Sequence, residues 1–147
     1  SDENGDYPTG TYVRNPPGSS HAPCSEIGCR ILVKLRQFEP TDLTKVVIDT
    51  TDGALWQESA DSTRRQALYA FASERVEMRK IAAGKEFVLD GEAGGAELLV
   101  VTGSLWSGPT RLRDECWLRL PKGDTQTLFA ERETTAWIKT GHLPPDL

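Results

Sequence analysis

Apolar and polar positions alternate over much of this chain, and the alternation predicts strands. Tyr12-Val13-Arg14 runs into Pro16-Pro17-Gly18, and Trp117-Leu118-Arg119-Leu120 runs into Pro121-Lys122-Gly123. Each reads as a strand closed by a turn, because proline cannot donate a ladder hydrogen bond and glycine tolerates positive φ. Residues 29–35 and 134–138 are rich in β-branched and aromatic side chains and predict two further strands. A short strand is expected at 45–49. The run Glu-Leu-Leu-Val-Val-Thr at 97–102 predicts a buried strand closed by Gly103, followed by a turn region to Arg113 around Pro109. Residues 91–95 carry three glycines and predict a tight loop. Residues 60–83 are ambiguous. Their Ala, Arg, Gln, Leu, Glu, Met and Lys favour a helix capped by Asp61 or Ser62, yet Val76-Glu77-Met78 alternates as a strand does. Short strands at regular spacing on both sides favour an all-β sandwich, so two strands are expected near 67–71 and 75–82.

The first two strand–turn units are related by an internal repeat. Aromatic, apolar, Arg, any, Pro, any, Gly recurs at an offset of 105 residues. In the same register Glu26 meets Glu131, and Leu32-Val33-Lys34 meets Trp137-Ile138-Lys139. Two matches without a gap imply a repeated unit of about a hundred residues. Residues 1–41 hold its C-terminal part and residues 42–147 a whole unit. Half a repeat leaves sheet edges open. Residues 1–41 are therefore expected to pair with the complete repeat, with another chain, or with polypeptide upstream of Ser1.

Composition narrows the function classes. The formal net charge is −5 and no basic cluster stands out, which argues against nucleic acid. No apolar run approaches the ~20 residues that span a bilayer, and no signal peptide is visible at the start. Cys24, Cys29 and Cys116 make an odd number, whereas a disulfide framework needs pairs, so a reducing, cytoplasmic setting is expected.

Gly10-Thr11-Tyr12-Val13-Arg14-Asn15-Pro16-Pro17-Gly18-Ser19-Ser20-His21 and Gly28-Cys29-Arg30-Ile31-Leu32-Val33-Lys34-Leu35 resemble the second conserved block of ChrR-type cupins, and Lys139-Thr140-Gly141-His142-Leu143 resembles the close of that family's second repeat. The resemblance is specific at 8–36 and 115–143 and weaker across 42–95. It implies an all-β double-stranded β-helix, the cupin jelly roll, here one complete repeat preceded by the C-terminal half of another. The family includes the sensory domains of zinc-binding anti-sigma factors and small metal-dependent dioxygenases. The metal site it implies is a His-x-His-x-x-x-Glu segment and a fourth His after the Pro-Gly turn.

Carried over residue by residue, His21 takes the place of the fourth His of the first repeat. It is a ligand for zinc or another divalent metal if upstream residues supply the rest, since a zinc site needs three or four protein ligands. In the complete repeat Glu97 matches the motif's Glu, the two His positions fall on Gly91 and Ala93, and Gln126 stands at the fourth. A carboxylate and an amide make a poor transition-metal site. This repeat is expected to be metal-free, either structural or adapted to an organic ligand with Glu97, Gln126 and Arg119 as candidate contacts. A buried Glu97 needs a cation, and Arg119 or Lys139 could supply it. Arg14 and Arg119, equivalent in the repeat, are expected to form salt bridges or fix the turn; an anion-binding role is the sharper alternative. His142 is expected to pack or cap, and Trp56, Trp106, Trp117 and Trp137 to sit in the core or at the sandwich edge. His21-x-x-Cys24-x-x-x-x-Cys29 fits no tight zinc spacing.

Two functions follow. The first is a sensory or regulatory cupin domain of a ChrR-like anti-sigma factor. Its ECF sigma factor would be held by a helical domain outside this sequence, and the cupin would form a homo-oligomer. The alternative is a dioxygenase-like cupin with its metal centre in the first repeat.

Overall fold

The computed structural model describes residues 1–143, in two compact units that divide after Thr51. In the first unit β1 (Thr11–Arg14) and β2 (Val46–Asp49) pair antiparallel, with Tyr12 opposite Ile48 and Arg14 opposite Val46. Buried Arg14 is ion-paired with buried Asp42, and its guanidinium lies 3.8 Å from the Phe38 ring centroid. The expected Arg14 salt bridge is therefore present.

The strand expected at 29–35 is absent. No ladder forms there among the described residues, and Ile31, Val33 and Leu35 are 67%, 56% and 77% exposed. Cys29, the first residue of that expected strand, is exposed too. β propensity measures fit to neighbours on a pleated surface. Without strands beside it, an apolar alternation gains nothing by extending.

The second unit begins with one 3-10 turn (Gly53–Leu55) and then runs entirely in antiparallel strands. They are β3 (Gln57–Glu58), β4 (Arg64–Phe71), β5 (Glu74–Ile81), β6 (Glu86–Asp90), β7 (Ala96–Ser107), β8 (Thr110–Arg113), β9 (Trp117–Leu120) and β10 (Thr125–Thr140). The β4–β5 hairpin confirms the strands expected near 67–71 and 75–82. Helix-favouring composition loses there because alternate residues of β5, Val76 and Met78, are buried.

The long strands β7 and β10 each serve two layers. The first half of β10 pairs with β6 and the second with β5; the first half of β7 pairs with β9 and the second with β8. The switch falls where the β7–β10 register shifts, between Ala130 and Thr135. Gly103, at φ +107, lies at that shift. It was expected to end a strand, but it bends one that continues to Ser107. The 103–113 region is accordingly a β7–β8 hairpin, not a turn region, with Ser107 opposite Thr110. A glycine that a bulge requires leaves the same sequence mark as one that closes a strand.

The core lies between the layers of this jelly roll. Ile81, Leu98, Val100, Ala136 and Ile138 come from one layer; Phe87, Leu89, Leu105, Leu112 and Leu128 come from the other. The offset of 105 also has structural content. β1 and β9 are both four-residue strands, and Gly18 and Gly123 follow them at φ +83 and +90.

Candidate functional site

A cleft of about 300 Å³ opens at one end of the second unit, between the inner face of β5 and strand β6. Side chains alternate across a strand. Glu77 stands opposite Ile138 and Arg79 opposite Ala136, both core positions. Arg75, Glu77 and Arg79 therefore share the face that Ile81 gives to the core. Phe87, Leu89 and Ile138 supply an apolar floor, and Asp61 and Asp90 stand among the lining residues.

The glycine loop closes one end. Gly141 N–H donates to the Gly95 carbonyl (3.0 Å) and Leu143 N–H to the Gly94 carbonyl (2.8 Å). A Cβ on Gly95, at φ +73, would meet Leu143 Cδ1 at 2.4 Å, so this approach requires glycine.

Arg79 is held on every side. Its Nε and Nη2 donate to Glu77, and its Nη1 donates to Asp61 Oδ2 (2.9 Å) and Thr63 Oγ1 (2.8 Å). Burial pushes the Asp61 carboxyl up. The Thr63 hydroxyl and amide and the Arg79 guanidinium outweigh it and hold the group below its ordinary 3.8. A carboxylate with a depressed folded value stabilises the fold above the unfolded value, and that stability is lost as pH falls through the folded one. Urea unfolding from pH 7 to pH 2.5 should show wild type above Asp61→Asn by a gap that is full at neutral pH and closes below about pH 4. A pH-independent gap would remove Asp61 from the titrating groups.

Glu97 is placed differently from the metal-motif glutamate it matches. Ala96, Leu98 and Val100 face the core, so Glu97 points to the opposite face of β7. It is 1% exposed, 2.9 Å from His142 Nε2 and 3.9 Å from Arg119 Nε. Both cations considered for it are neighbours: Arg119 by that contact and Lys139 by its place opposite Glu97 in the β7–β10 register, with the Lys139 ammonium ion-paired to Glu74 at 3.0 Å. The fold thus brings Glu97 and Arg119 together. Gln126 donates instead to the Thr127 carbonyl at 2.9 Å.

The residues of the second unit do not fit a metal. A Cβ on Gly91 would meet the Asp124 carbonyl at 2.7 Å and the Pro121 carbonyl at 2.9 Å, so no ligand side chain could stand there. Ala93 lines the cleft but offers no donor. Among the described residues no group of three or more His, Cys, Asp or Glu is placed to hold a metal ion. In the first unit His21 is exposed, with Nδ1 3.4 Å from Asn15 Nδ2.

Reading the sequence missed the Arg75–Glu77–Arg79 row and the His142–Glu97 contact. A signal for the row existed. Three charges alternate along a predicted strand on the same face as Ile81, an unusual content for an inner face.

Residues 1–39 match the ChrR cupin-like domain family. A chain in the crystal structure of Rhodobacter sphaeroides SigE in complex with the anti-sigma ChrR is similar at a TM-score of 0.52 and 18% identity, over 58% of this chain and 48% of that one. This protein thus spans about half the length of that chain. An RmlC-like cupin from Shewanella frigidimarina NCIMB 400 has a TM-score of 0.52 at 12% identity, covering 57% of this chain and 79% of its own. The Schizosaccharomyces pombe Cnp3 cupin domain has 0.51 at 12%, covering 65% and 74%. No curated protein sequence matches the chain. The fold is the cupin jelly roll, and the resemblance to ChrR-type cupins holds.

Proposed function

We propose that this ChrR-type cupin is the sensory part of a regulator resembling the ChrR anti-sigma factor. The match of residues 1–39 to the ChrR cupin-like family carries the reading. Residues 1–41 are the C-terminal half of a first cupin repeat and residues 42–147 a complete second one. His21 is one ligand of a divalent metal, such as zinc, whose other ligands come from the remainder of the first repeat. The second repeat works without metal, because the motif positions hold Gly91, Ala93 and an outward-facing Glu97. The regulator acts in the cytoplasm as a homo-oligomer and holds an ECF sigma factor through a separate helical domain. Signal reaches that domain as a change in the cupin's occupancy, by population shift between two states.

The test uses the protein as translated from its own gene. Co-purification with its cognate ECF sigma factor is expected, together with stoichiometric metal that His21→Ala abolishes. Metal without a retained sigma factor would overturn the regulatory reading in favour of a dioxygenase-like first repeat. Stoichiometric metal that survives His21→Ala would overturn the ligand assignment.

A further inference from the structure

We propose that the cleft of the second unit binds a small monocarboxylate with an apolar body, and that Arg75 is the residue that receives the carboxylate. The proposal deepens the sensory reading by giving the metal-free repeat a ligand class.

Most of the charges in the cleft are already satisfied. Arg79 is neutralised by Glu77 and Asp61 and held by Thr63. Those two carboxylates are thereby spent. Asp90 Oδ1 accepts the Glu92 amide at 2.8 Å and lies on the exposed side of β6. Arg75 differs. Its Nη1 donates to the main-chain carbonyls of Ala72 and Glu74, both at 2.7 Å, and among the described residues it makes no ion pair with a carboxylate. The two carbonyl bonds fix the guanidinium at the cleft while its charge stays uncompensated. Five N–H donors in a rigid fork leave Nε and Nη2 for a ligand, the geometry that matches a carboxylate.

The rest of the cleft sets the ligand's size and body. Phe87, Leu89 and Ile138 offer apolar area. About 300 Å³ is at the small end of ligand sites, which run to roughly 1,000 Å³. An aromatic or short aliphatic acid fits that volume.

Benzoate is the probe, and benzamide its neutral isostere. Titrations followed by amide chemical shifts should show saturable benzoate binding, with shifts at residues 75–79 and 87–90. Benzamide should bind about tenfold more weakly or worse, and Arg75→Gln should lose benzoate by a similar factor, the worth of one charge-assisted contact. Arg75→Lys should fall between. Arg75 is exposed and β5 keeps its ladder, so unchanged shifts away from the cleft certify the fold of each variant. Equal binding of benzoate and benzamide, undiminished benzoate binding by Arg75→Gln, or no saturable binding would each overturn the proposal. Retention of the sigma factor is measured separately, so the cleft can fail while the regulatory reading stands, and the reverse.

Discussion

Lys139→Met is expected to destabilise the second unit by about 3–5 kcal/mol, the usual cost of removing one partner from a buried ion pair. The Lys139 and Glu74 side chains are 5% and 9% exposed, with Nζ and Oε2 3.0 Å apart. Both charges have left water, and each depends on the other for much of what hydration supplied. The variant takes from the Glu74 carboxylate its ammonium in a poorly polarisable setting. Lys139→Met combined with Glu74→Leu should recover most of the loss, because both desolvated charges of the pair are then gone. Urea unfolding of the three variants, fitted as two-state transitions with equal slopes, measures the cycle. A single-variant loss below about 1 kcal/mol would place the pair with exposed salt bridges.

That pair shows where reading the sequence stops. Lys139 could be placed on a strand from its neighbours Trp137 and Ile138, and a cation near Glu97 could be foreseen. Which carboxylate takes which cation depends on side-chain reach across the β5–β10–β7 register, where Lys139 is opposite Val76 on one side and Glu97 on the other. Nothing local fixes that choice. The strand–turn unit was legible for the opposite reason: Pro16-Pro17-Gly18 and Pro121-Lys122-Gly123 act within a few residues, and both end a strand as expected. The β4–β5 hairpin was legible only by weighing the whole fold against local propensity. Residues 29–35 failed because a strand is a relation between segments, and the sequence of one member cannot report whether the other is present.

The candidate site follows the same division. Gly91 and Ala93 could be read as lacking donors, and the packing of Gly91 against two carbonyls adds a steric reason. The outward direction of Glu97 was hidden, since one residue of slip in a strand exchanges its faces. Arg75, Glu77 and Arg79 needed only their alternation with Val76 and Met78 to be placed together. Their meaning as a cleft required β6, which is brought near by a topology in which β10 serves both layers.

Gly103→Val is the second large effect, about 4 kcal/mol of lost stability, from backbone strain of about 1–3 kcal/mol and overpacking of about the same size. Gly103 has φ +107, a conformation that β-branched residues avoid. A Cβ there would meet Thr134 Oγ1 at 2.5 Å and the Glu133 carbonyl at 2.6 Å. Neither neighbour can yield cheaply. Thr134 is fully buried, and its hydroxyl donates to the Ser104 carbonyl (3.1 Å) and accepts the Ser104 amide (3.0 Å). Gly103 N–H is itself bound by Asp114 Oδ1 at 2.8 Å. The substitution therefore strikes the bend by which β7 and β10 pass from one layer to the other, and with it the core between the layers. Gly108→Ala is the control. It lies in the β7–β8 turn at φ +55 with nothing within 4 Å of the added Cβ, so it should cost only about 1 kcal/mol of backbone strain. If thermal unfolding gives the two variants equal losses, positive φ alone accounts for both, and the packing at the bend has been overestimated.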